Sequence, residues 1–110
     1  MNLYLVSQNV NNGYDTYDNF VVVANNEDEA RHSSPNGYYV WKDDCWNFKY
    51  SNGSTKITKH QSWCHPKDVS VKLIGVADSS LENGEVVCSS FNAGWVWQKK
   101  TPLKKQNSEY

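Results

Sequence analysis

Two carboxylates three residues apart, each preceded by a phenol, head the groups able to do chemistry: Tyr14-Asp15 and Tyr17-Asp18, with Thr16 between them. Paired carboxylates bind a cation or exchange a proton only where they converge. On extended backbone, residues i and i+3 stand roughly 10 Å apart at about 3.3 Å per residue, too far to share one ion unless the chain turns tightly. A calcium loop spaces its oxygens at alternate positions and closes with a glutamate, and this stretch does neither. Two other uses suit these residue types better. Asp15 and Asp18 can fix a turn through side-chain-to-backbone bonds. In recognition, the tyrosines would give contact area at low entropic cost and the aspartates would orient a partner.

Cys45, His60, Cys64 and His65 form a second set, with His32 and Cys88 elsewhere. Thiolate and imidazole are zinc ligands, and these four could make a tetrahedral site. The spacing opposes it, because there is no C-x-x-C or H-x-x-x-H and the neighbours Cys64 and His65 point apart on regular backbone. Free cysteines packed as small hydrophobes are the expectation, with no cofactor and zinc as the alternative. A Cys–His nucleophile pair is compatible with the composition but not marked by any motif. No G-x-S-x-G, phosphate loop or dinucleotide fingerprint is present, so the reading leans against an enzyme.

Aromatic residues supply the third set. Tyr38, Trp41, Asp43, Asp44 and Trp46 mix rings with carboxylates in one short run, and SSFNAGWVW contributes Asn92 and Trp95. Trp95 and Trp97 would share a strand face and could stack a nucleobase, or they could simply pack.

These groups need positioning elements. NLYLVS and FVVVA read as strands, with NNGYDTYD in a long hairpin loop that runs into the second. Asn25-Asn26 followed by Glu27, Asp28 and Glu29 predicts an Asn-capped helix N-terminus, with two to three turns before Ser33-Ser34-Pro35-Asn36-Gly37. Residues 38–64 read as an aromatic β-insertion, with Trp46, Phe48 and Tyr50 on one face and Cys45, Asn47 and Lys49 on the other. Val69 to Ala77 alternates as a strand, Val69, Val71 and Leu73 facing one way, until Gly75 marks a bulge or a close contact. Asn83-Gly84 then predicts a hairpin turn into a last strand from Glu85. The expected fold is α+β: an antiparallel sheet of about four or five strands, one helix on one face, and the insertion.

The chain has 110 residues, enough for one core, here assigned to residues 1–98 with a lysine-rich tail at 99–110. Aromatics make up 14%, so rings are expected to carry much of that core. Residues 1–48 carry seven acidic against two basic residues, a balance of −5, and residues 49–110 carry nine against five the other way, a balance of +4. That asymmetry favours oriented docking over duplex DNA binding. No apolar run is long enough for a membrane span, no signal peptide is evident, and three cysteines are an odd number, so a cytoplasmic location is expected.

The segments NLYLVSQ, NNGYDTYDNFVVVA, NEDEAR, PKDVSVKLIG and VVCSSFNAG resemble small uncharacterised proteins of bacteriophages and prophage-bearing bacteria. The resemblance covers about two-thirds of the chain and leaves Tyr38 to Cys64 and the tail as variable parts. It implies a setting rather than a mechanism: a small accessory protein that binds a host protein, such as a CRISPR-type antiviral defence component, and inhibits it. A nucleotide-binding or nucleotide-cleaving module, its pocket joining the Tyr-Asp stretch to SSFNAGW, is the alternative, and a zinc-stabilised interaction domain a further one.

Overall fold

A computed structural model describes residues 1–93. The expected tail, and Trp95 with Trp97, lie outside the described residues. β1 (Asn2–Ser7) and β2 (Thr16–Ala24) form an antiparallel hairpin in which Tyr4 pairs with Val22 and Val6 with Phe20. Those four side chains share one face because strand side chains alternate, and all are buried. β2 starts earlier than FVVVA predicts, so Tyr17 and Asp18 are strand residues and only Tyr14 and Asp15 belong to the loop. The loop is short because Gln8 holds it. Its buried amide donates to the carbonyls of Asn11 (2.7 Å) and Tyr17 (2.8 Å), and its Oε1 accepts from the Val10 and Asn11 N–H groups.

α1 (Glu27–Arg31) begins where predicted. Asn26 Oδ1 accepts from the Glu29 N–H at 2.9 Å, and the Glu29 carboxylate accepts from the Asn25 N–H at 3.1 Å, a reciprocal cap. At five residues the helix is shorter than the two to three turns expected. The Ser33 hydroxyl and N–H take the Glu29 and Ala30 carbonyls and close it. Ala30 is fully buried on the face shared by β1, β2 and β6 (Ser70–Val76), and Arg31 donates to Val69 O at 2.9 Å.

The insertion is a separate three-stranded sheet, β3 (Tyr39–Lys42), β4 (Cys45–Lys49) and β5 (Thr55–Ile57), in the order β3-β4-β5. Asp43 and Asp44 make the first turn with φ of 55° and 62°, the left-handed pair that a two-residue hairpin of matching twist requires. Tyr39 then pairs with Phe48 and Trp41 with Trp46, so four rings occupy one face. Two-face alternation fails at Asn47, which is 5% exposed beside buried Trp46. Its amide donates to the Lys42 and Cys45 carbonyls and so stays inside as a brace for the turn.

The four-stranded sheet has the order β6-β1-β2-β7, with β7 at Val86–Asn92. A register shift places Leu3 opposite Gly75 and Tyr4 opposite Leu73, so the bulge expected at Gly75 falls on Ile74 beside it. Leu73 does not join the core; at the sheet edge it is 58% exposed. Nor do β6 and β7 form the hairpin that Asn83-Gly84 predicts. They lie on opposite edges, and residues 77–85 carry the chain across the end of the β1–β2 pair, through Ala77 N–H to Met1 O, Gly84 N–H to Val23 O and Val23 N–H to Glu85 O. Gly84, at φ +87°, supplies the turn that brings the chain onto β2.

Among the described residues the architecture is therefore the α+β class expected, with two antiparallel sheets, one short helix and a 3-10 turn at Pro66–Asp68 that the sequence does not mark. Tyr4, Val6, Phe20, Val22, Ala30, Trp46, Trp63 and Val69 belong to one buried cluster, rings from the insertion side joined to aliphatics from the sheet. Among the described residues no helix is long and apolar enough to cross a membrane. Phe20→Ala, at a site with no exposure, is expected to cost about 3–5 kcal/mol of stability in urea unfolding. Leu73→Ala, at the edge, should stay within about 0.5 kcal/mol.

Candidate functional site

The segment from Thr58 to His65 is clamped between the two sheets. The Asn11 amide donates to the Gln61 and Trp63 carbonyls at 2.9 and 2.8 Å, and the Tyr17 N–H donates to Ser62 O at 3.0 Å. Trp63 is driven against Phe20, ring centroids 5.1 Å apart and planes at 65°. It is 1% exposed, and its Nε1 has no hydrogen-bond partner among the described residues.

His60, 4% exposed, stacks on Tyr39 at 3.9 Å and 16° and meets the edge of Trp46 at 5.1 Å. Both ring nitrogens are engaged, Nε2 with the Ser34 hydroxyl at 2.9 Å and Nδ1 with the Ser62 hydroxyl at 3.3 Å. Burial disfavours the imidazolium and lowers the pKa to about 4. Cys64 next door is pushed up to about 11, by burial and then by the nearby Asp68 carboxylate. At neutral pH both groups are uncharged, which is the reverse of an activated thiolate–imidazolium pair.

Above this floor lies an open cleft of about 280 Å³. Its walls are Trp41, Cys45 and His65, with Asp44 and Lys59 beside them. Trp41 stands nearly perpendicular to Trp46 (5.3 Å, 79°) and to His65 (5.0 Å, 76°). A second cleft, about 360 Å³, also includes Trp41 and is polar, with His32, Ser33, Asn36 and Lys49. A third, about 380 Å³, shares Lys49 and Gly37 with the second and adds Tyr38, Phe48 and Tyr50. The three thus run in series along the insertion.

The residues singled out in the sequence fall into separate places. Tyr14, Asp15, Tyr17, Asp18 and Asn92 gather at one end of the four-stranded sheet. Asn92 donates to Asp18 Oδ1 at 2.9 Å and to Thr16 Oγ1 at 3.4 Å, its carbonyl accepts from the Asp15 N–H, and Tyr17 packs on Phe91 at 4.8 Å. The Tyr-Asp stretch therefore meets Phe91 and Asn92 of the SSFNAGW segment, whose Gly94 and Trp95 lie outside the described residues. Trp41, Asp44 and Trp46 line the first cleft and Tyr38 the third, while Asp43 sits exposed in the hairpin turn.

All four zinc candidates, Cys45, His60, Cys64 and His65, also line the first cleft. They do not assemble into a ligand set: among the described residues no three His, Cys, Asp or Glu side chains are grouped to hold a metal ion. The Cys45 thiol donates to Lys42 O, and His65 Nδ1 accepts from the Lys67 N–H at 3.0 Å. Burial as a free thiol holds for Cys64, whereas Cys45 is half-buried and Cys88 exposed. Gln8, Asn11, Ser34, Lys49 and Lys59 were missed. Polar residues carry no periodic signal, and each acts through a partner remote in sequence.

The folded state keeps His60 neutral down to about pH 4, whereas the unfolded chain takes up a proton near pH 6.5, so stability is full above that range and falls as pH drops through it. Urea midpoints should show a loss on the order of 3 kcal/mol across this window, abolished in His60→Gln. In the native protein, a thiol reagent at neutral pH should modify Cys88 first and Cys64 last, with Cys64 reached only as urea unfolds the chain; fast labelling of native Cys64 would contradict the burial that raises its pKa.

No family model, curated protein or solved structure matches this chain.

Proposed function

We propose that this chain acts by binding another protein, with the sheet end around Tyr14 as its contact surface. The observation that carries the reading is the presentation of an exposed ring on a braced loop. Tyr14 is 78% exposed, while the residues behind it are fixed: Thr16 Oγ1 donates to Gly13 O at 2.6 Å, Asp15 sits at φ 61°, and Asn92 ties Asp18 to the neighbouring strand. A large ring held in place loses little entropy on docking. Phe91, 49% exposed beside Tyr17, extends the apolar area. At the cleft above His60, the neutral Cys64 and His60 favour binding over nucleophilic catalysis.

The setting implied by the resemblance to phage and prophage proteins makes the partner a host protein, with a CRISPR-type antiviral defence component as the leading case and inhibition as the outcome. Tyr17, half-buried on Phe91, serves to hold the surface rather than to touch the partner.

Co-purification from the native host is expected to recover a partner with the wild-type chain and to lose it with Tyr14→Ala/Asp15→Asn, a pair that leaves the left-handed backbone position to a residue that tolerates it. Loss of a central ring should weaken the complex by about 30-fold or more, as for a contact hot spot. Equal recovery by wild type and the double variant would sink the reading.

A further inference from the structure

The groove along the insertion is a second surface, independent of the one around Tyr14. It alternates rings with cations. Trp41 and His65 line the first cleft, Tyr38, Phe48 and Tyr50 the third, and the polar middle holds His32, Asn36 and Lys49. Tyr38 is 64% and Tyr50 43% exposed, so flat apolar area stays open to solvent. Lys49 and Lys59 line the series against a single carboxylate, Asp44.

We infer that this groove binds a segment of single-stranded nucleic acid, with bases stacked on Trp41 and on the Tyr38–Tyr50 side and phosphates held by Lys49 and Lys59. Every base offers a π-face, and rings interleaved with basic residues are the means by which strands are held without a sequence code. A duplex hides those faces, so it cannot use the rings. An acidic peptide would satisfy the lysines but leave the rings idle. The open, elongated form suits a strand rather than one enclosed nucleotide, and it differs from the pocket the sequence placed between the Tyr-Asp stretch and SSFNAGW.

The test is fluorescence anisotropy of the full chain with a labelled thymidine oligomer of roughly ten nucleotides, a length within the site sizes of stacking platforms. Binding is expected at low salt, weaker for the matching duplex, and not displaced by equimolar thymidine monophosphate or polyglutamate. Trp41→Leu should weaken it about fivefold or more, through loss of stacking. Lys49→Gln should weaken it severalfold and lower the salt slope by about 0.7, one phosphate contact on a single strand. Because Trp41 also packs on Trp46, the exposed Lys49→Gln variant keeps the result decisive if Trp41→Leu misfolds. Tyr14→Ala should bind as wild type. No anisotropy change up to about 100 µM, the weak end of non-specific binding, would overturn the inference. So would equal affinity for the duplex, full competition by the mononucleotide or polyglutamate, or unchanged binding by Lys49→Gln.

Discussion

The contact of Trp63 with Phe20 is the joint on which both sheets depend. Without it the four-stranded sheet would have an apolar face covered only by a five-residue helix, and the insertion would be a small ribbon with four rings and nothing to bury them against. Small β-ribbons are marginal alone in water. The segment around Trp63 solves both problems at once, since one residue of it meets the sheet and another, His60, meets the insertion through Tyr39. Asn11, Tyr17 and Ser34 then hold that segment by hydrogen bonds from three different parts of the chain.

Burying so much polar backbone and an imidazole at the joint has an electrostatic effect that reaches the surface. His60 is uncharged and fully partnered, so it adds no field to the cleft above it. The sign of that cleft is left to Lys59 and Asp44, and of the groove beyond to Lys49. At the other end of the joint, the braced Tyr14 loop is carried on β2 and on Asn92 of the edge strand. The two surfaces share a scaffold but no residues, which lets each be altered without the other.

Local patterns in the sequence identified most of the elements. Runs of β-forming residues located β1 and β6 closely and the Asn83-Gly84 turn placed the start of β7, although β6 and β7 bury none of their residues, and the asparagines before an acidic run marked the helix start. What local pattern does not carry is pairing. Asn83-Gly84 has the chemistry of a hairpin turn and does turn the chain, yet β7 goes to β2 because that edge is the one left open after β6 takes β1. Similarly, the Cys and His residues do converge on one cleft, but both His60 nitrogens bond Ser34 and Ser62, the Cys45 thiol bonds Lys42 O and His65 Nδ1 bonds the Lys67 N–H. The site residues recognised as rings or carboxylates were the ones with exposed or distinctive chemistry. Gln8 and Asn11 look like ordinary loop residues until their distant partners are known.

The strand order also sets a timetable. In synthesis from the N-terminus the β1–β2 hairpin is complete at Ala24, but the strands that flank it end at Val76 and Asn92. At about 5–20 residues per second the nascent hairpin waits on the order of several seconds with both edges unsatisfied. Unpaired edges template association with other chains. For the newborn protein, the most vulnerable period thus falls before its own outer strands exist, and a slower ribosome would lengthen it.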